Sequence, residues 1–225
     1  MNQVNPAARA SVHSVGPLEG AVSPNKNGLR DLLQADAGDV LFTLDNGTTK
    51  LNHEIAHYDS DRGHLQAWVQ VPKVYKDDNT LIWMYLNNAG VANQGNTNAT
   101  WSADFGVVNH AGSDSTANAR FAGLFGGALA TGVGRLDNSL SLDGVNDYAS
   151  FTGYDVADSY TFMMWINPTS VGGGVDRAIF SKKTADNAIV SALIADNADN
   201  PEYRVTFRGV TKSFGAEGVV PEGWT

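Results

Sequence analysis

Residues 53–57 read His-Glu-Ile-Ala-His. On a helix this spacing brings both imidazoles to one face. The glutamate between them is then placed as general base beside a metal-bound water, the arrangement of a zinc hydrolase. His53, Glu54 and His57 are therefore the candidates for a zinc metallopeptidase. Elsewhere the chain is short of such sets. It has no cysteine, which excludes disulfides, thiolate zinc sites and a cysteine nucleophile. It also lacks a Gly-x-Ser-x-Gly elbow, and Gly172-Gly173-Gly174 has no Lys-Ser/Thr to complete a phosphate loop.

The zinc reading stands or falls with the element that carries it. Asn46-Gly47, a strong turn signal, lies just upstream of His53 and leaves little room for a helical run. If residues 50–58 form a strand, His53 and His57 share a face with Leu51 and Ile55, and Glu54 points the other way. The extended form of the zinc motif wants glycine at 60 and histidine at 63. Here Ser60 and Gly63 stand at those places, and His64 comes one position late. The strand reading, two histidines in a half-exposed strand, is the one adopted; the zinc peptidase remains the alternative.

The surrounding pattern has period two. Val40 to Leu44 reads as a strand, Asp45-Asn46-Gly47 as a type I′ hairpin turn, and Lys50 to Tyr58 as the return strand. Asp59 to Gly63 is a second turn. Leu65 to Val71 alternates, with Leu65, Ala67, Val69 and Val71 on one face, and Pro72 ends the run. Leu81 to Leu86 completes an expected four-strand meander. Residues 1–27 read as a loose arm or one loose strand, Gly28 to Asp36 as one or two helical turns, and Asn87 to Ser102 as a polar linker. Segments 105–109 and 113–118 and a Gly-rich stretch over 123–134 follow, and strand-like runs resume at 139–142, 148–151, 160–166, 178–181, 188–194, 203–207 and 211–214. Their spacing, with turn residues between, suggests a sandwich or jelly roll.

The net charge of −9 argues against a nucleic-acid partner and against adsorption to anionic lipid. No apolar run approaches transmembrane length. Met1 to Gly20 has no apolar core of a signal peptide, so a leader is expected outside this span.

Each half of the chain carries a family resemblance. Ser139-Leu-Ser-Leu-Asp-Gly-Val-Asn-Asp-Tyr148, followed by Ser159 to Pro168 (Ser-Tyr-Thr-Phe-Met-Met-Trp-Ile-Asn-Pro), resembles the start of laminin G-like, concanavalin A-like domains. Asp114 to Asn118, Arg177 to Lys182 and Glu222 to Thr225 are similar to further segments of that family, with Ala117 where glycine is usual. Gly38 to Phe42, Leu51 to Ile55 with Tyr58-Asp59, Trp68 to Pro72 and Ile82 to Asn88 resemble domain of unknown function 2341. That family often precedes laminin G-like domains in bacterial envelope proteins. Its usual Tyr-Tyr-Gly-Asn is Tyr-Leu-Asn-Asn here.

The resemblances imply an all-β chain. The expected layout is an arm over 1–27, a small β-sandwich over 28–100, and an incomplete concanavalin A-like jelly-roll sandwich over 101–225. They imply a non-catalytic, adhesin-like binding module of a secreted or cell-envelope protein, recognising carbohydrate or a surface protein. A structural spacer or assembly module is a further alternative. Laminin G-like domains often hold one Ca²⁺ on loop oxygens, and Asp114, Asp143, Asn146 and Asp147 are the candidates here. The opposing reading makes Asp143-Gly144 and Asn146-Asp147 turn formers only. Glucanases of the same fold carry Glu-x-Asp-x-x-Glu on one strand, whereas Glu202, Glu217 and Glu222 stand apart. Trp165 is expected to pack rather than stack on sugar. A sandwich cut short exposes an edge and part of its core, so poor stability or aggregation is expected of this span alone.

Overall fold

The structure, a computed structural model, describes residues 9–12, 28–135, 138–151, 161–169, 177–183, 189–197, 200–207 and 210–214. The chain divides into two compact units, Met1–Val156 and Ala157–Thr225. Among the described residues the regular structure of both is nearly all antiparallel strand, so the chain is all-β.

The first unit opens with β1 (Arg9–Val12), a 3-10 turn (Gly28–Asp31), β2 (Leu41–Leu44), β3 (Lys50–Leu51), β4 (His53–Asp59), β5 (His64–Val69) and β6 (Ile82–Tyr85). A one-turn helix, α1 (Thr97–Thr100), follows. Then come β7 (Asn109–His110), β8 (Ser113–Asp114), β9 (Gly123–Phe125), β10 (Leu129–Val133), β11 (Asn138–Ser141) and β12 (Tyr148–Ser150). The last six pair as β7 with β8, β10 with β11, and β12 with β9.

The first six strands do not form the expected meander. One sheet has the order β1-β6-β2-β3, and β4 pairs with β5 in a separate sheet. The reason lies at Asn52, where the return strand leaves the first sheet and enters the second. β6 then comes back to lie beside β2, with Met84 opposite Phe42. Alternation supplies each sheet with one apolar face, and the two faces share a core. Phe42, Leu51, Ile82 and Met84 from one sheet meet Leu65 from the other, with Ile55, Tyr58, Ala67 and Val69 packed around them.

The turns follow their side chains. Asn46 and Gly47 sit in a longer loop than a two-residue type I′ turn. Gly47 alone takes positive φ (69°), and Asn46 Oδ1 accepts from the N–H groups of Thr48 and Thr49. Asp59 Oδ1 likewise accepts from Asp61 N and Arg62 N before Gly63 turns the chain at φ 66°.

The second unit contains β13 (Arg177–Lys183), β14 (Ile189–Asn197), β15 (Asn200–Phe207) and β16 (Val210–Phe214), paired in sequence order as one antiparallel sheet. The strand expected over 160–166 is not found: residues 161–166 carry no regular structure and pair with no described strand. Phe162 instead stacks on Phe180, ring centroids 4.1 Å apart. Tyr160, Gly172 to Gly174, Glu217 and Glu222 to Thr225 lie outside the described residues.

Candidate functional site

Strand β4 is the frame of the site, and Ala56 sets its geometry. Ile55 pairs with Ala67 and His57 with Gln66, so Ala56 is an extra residue with nothing opposite it. Such a bulge shifts the alternation of faces by one. Directly paired residues of an antiparallel ladder share a face. His53, Ile55 and Tyr58 therefore lie with Val69, Ala67 and Leu65 on the core side, while Glu54 and His57 lie with Trp68 and Gln66. This corrects the expectation that His53 and His57 share a face opposite Glu54. The segment is strand, so the helical convergence of two imidazoles that the zinc motif needs does not arise here.

His53 is fully buried. Its ring meets Phe42 edge-on at 5.2 Å, and Nδ1 lies 3.3 Å from the Leu51 carbonyl. Burial pushes the imidazole below its ordinary value, against hydrogen bonds with backbone carbonyls that favour protonation. It is a neutral core group, and its Nε2 has no hydrogen-bond partner.

Glu54 is 7% exposed, yet charged. Its Oε1 accepts from Ser115 Oγ at 2.6 Å, and its Oε2 from Trp101 Nε1 at 2.7 Å. His110 Nε2 stands 3.6 Å from Oε1. Burial pushes the carboxyl up, but His110, Ser115 and Trp101 together more than offset it and hold the group below the usual range. Hydrogen bonds to an ionised group contribute about 1.5–3 kcal/mol each. Serine, histidine and a carboxylate thus meet, but not as a nucleophilic relay. A relay needs the serine hydroxyl on the imidazole, whereas Ser115 donates its hydrogen bond to the carboxylate and is itself buried.

What Glu54 positions is an aromatic ledge. Trp101 packs between Trp68 at 5.3 Å and Phe105 at 5.0 Å, the rings tilted by 56° and 68°. Trp68 is 38% exposed and Phe105 44%, so the ledge faces outward. The polar stretch expected as a linker delivers Trp101. Asn96 N bonds the His53 carbonyl, Gln94 N bonds the Gly38 carbonyl, and Asn96 Oδ1 caps α1 by accepting from Ala99 N. Trp101, Phe105, His110 and Ser115 were not singled out from sequence. The available signal was a tryptophan standing in a run of Asn, Gly and Thr, where nothing local explains it.

Beside β4 lies an open groove of about 520 Å³, whose polar lining is Asp36, His57, Tyr58, Asn93 and Thr97 beside small and aliphatic residues such as Ile55.

The oxygen set named for calcium divides between two turns, Asp114 in one and Asp143, Asn146 and Asp147 in the other. Asp114 is buried and accepts from Val108 N, Thr116 N, Thr116 Oγ1 and Arg120 N. Burial raises its carboxyl, but these four donors more than offset it and hold it below its ordinary value. Asp143 Oδ1 accepts from Val145 N and Asn146 N, and Asp147 Oδ2 from Asp143 N, around Gly144 at φ 75°. Among the described residues no group of three or more His, Cys, Asp or Glu side chains could hold a metal ion. Among them, too, no helix is long and apolar enough to cross a membrane.

No curated protein and no solved structure matches the chain. Ser115, tied to Glu54, falls within the single stretch that a family model covers. Residues 36–117, which carry β2 to β8, the ledge and the groove, match the family described as Domain of unknown function (DUF2341).

Proposed function

We propose that this chain is a non-catalytic recognition module of a secreted or cell-envelope protein, and that it binds carbohydrate through the Trp68–Trp101–Phe105 ledge. The observation that carries this reading is the ledge itself. Three aromatic rings gather at one outward face, and a buried carboxylate is committed to orienting the middle one. Exposed aromatic faces attract the C–H edges of sugar rings, and the indole N–H that would otherwise seek water is already satisfied. The carboxylates of Glu54 and Asp114 have their oxygens engaged by hydroxyl, indole and backbone donors instead. The laminin G-like motifs of the second half support the same class of function, and the four antiparallel strands of the second unit are compatible with them. The reading requires no calcium.

The test is a glycan array probed with the whole chain and with Trp68→Ala, each with and without EDTA. Retention of a defined glycan set by the parent chain, lost in the variant and indifferent to EDTA, is expected. No retention, or retention unchanged by the substitution, contradicts the proposal.

A further inference from the structure

We infer that the groove beside β4 is a second subsite for the same ligand, which makes that ligand a neutral oligosaccharide longer than one sugar unit. The inference rests on the recognition reading above and adds the ligand's length and charge.

Continuity comes first. The segment that lines the groove at Asn93, Gly95 and Thr97 runs directly into α1 and delivers Trp101 to the ledge. Thr97 and Trp101 are separated by one helical turn, roughly 6 Å of rise. From the other side, β4 carries Glu54 beneath the ledge and His57 in the groove, and the bulge at Ala56 turns both to the same face. A short glycan can span the two.

The lining then sets the class. Asp36, His57, Asn93 and Thr97 offer a carboxylate, an imidazole, an amide and a hydroxyl, a mixture of donors and acceptors suited to a ligand covered in hydroxyls. Two of the four are held in place before any ligand arrives. Asp36 Oδ1 accepts from Gly38 N at 2.9 Å, and Asn93 Oδ1 from Gly95 N at 2.7 Å. Gly95 lets this loop come close to β4, since a Cβ there would lie 3.1 Å from Asn93 Oδ1 and 3.4 Å from the His53 carbonyl, both tight contacts. Charge decides the rest. A carboxylate in the groove, on a chain of net charge −9, disfavours uronic acids and sialosides.

Calorimetric titration of the whole chain with neutral mono- to hexasaccharides tests this. Affinity is expected to rise about tenfold from monosaccharide to the longer members, a difference of about 1.4 kcal/mol. Asp36→Asn and Thr97→Val should remove that gain and leave monosaccharide affinity unchanged, while Trp68→Ala weakens every member. Melting curves confirm that each variant is folded, and His57→Gln replaces any that is not. Longer glycans bound no better than monosaccharides, or groove variants indistinguishable from the parent, would overturn the subsite and leave the ledge standing. Preference for acidic glycans would overturn the class assigned. If no neutral sugar binds the parent chain, the recognition reading falls and this inference with it.

Discussion

Exchanging Glu54 for glutamine keeps the side chain's shape but replaces one acceptor oxygen with a donor, so either Ser115 or Trp101 faces an N–H₂ group. A buried donor left without its acceptor costs about 1–3 kcal/mol. Glu54→Gln should therefore lower stability by that order and red-shift the tryptophan emission as Trp101 loosens; unchanged melting and emission would mean the carboxylate orients nothing. The same residues set an acid dependence. Glu54 and Asp114 have carboxyls depressed below 4.5 and 3.8 in the fold. Their contribution is complete above those ordinary values and is lost as pH falls through the folded ones. His53 is depressed below 6.5, so the unfolded chain takes up its proton first and stability begins to decline as pH drops beneath 6.5. Urea midpoints are expected to be level above neutrality and to fall at pH 5.5 and again at pH 4. A midpoint that rises on acidification would contradict these assignments.

At the scale of elements, Gly63 links the β4–β5 hairpin to the 3-10 turn. Its φ is 66°, and a Cβ there would stand 2.8 Å from the Arg30 backbone nitrogen. Gly63→Ala should cost about 2 kcal/mol from the left-handed conformation alone, read in a denaturant melt, with the contact adding to it. The strands at 41–44, 53–59, 64–69 and 82–85 were legible in the sequence because each shows its own alternation or apolar run between turn residues. Three things were not. The bulge at Ala56 exists only in the count against β5, and alanine carries no local mark of it. The change of sheet at Asn52 depends on where β6 returns, which is information from thirty residues away. The stretch 87–102 reads as a linker because Asn and Thr are common in linkers. Here Asn96 Oδ1 caps α1, Thr100 Oγ1 bonds back to the Asn96 carbonyl, and the Asn96 backbone N–H fastens the segment to the His53 carbonyl of β4. The histidine motif was legible as a strand, but its facing was not, for the first of these reasons. The ledge was not legible at all, since Trp68, Trp101 and Phe105 converge only through tertiary structure.

For the molecule as a whole, surface composition governs what else it meets. In the second unit Phe162, Met163, Met164 and Trp165 are all exposed, Met163 by 87%. An apolar run of this kind promotes self-association. Light scattering is expected to show concentration-dependent association that Met163→Lys reduces; a strictly monomeric parent chain would contradict that. The net charge of −9 should keep the chain from heparin and DNA at physiological salt. The account turns on the ledge being a ligand-binding surface rather than ordinary aromatic packing. Stacking of a sugar on an exposed indole alters its emission directly, so a fluorescence titration of the whole chain with a neutral tetrasaccharide is the sharpest measure. A saturable change that vanishes in Trp68→Ala and shrinks in Phe105→Ala is predicted. Emission that stays flat in the parent chain, or a change that survives the loss of Trp68, would contradict the account.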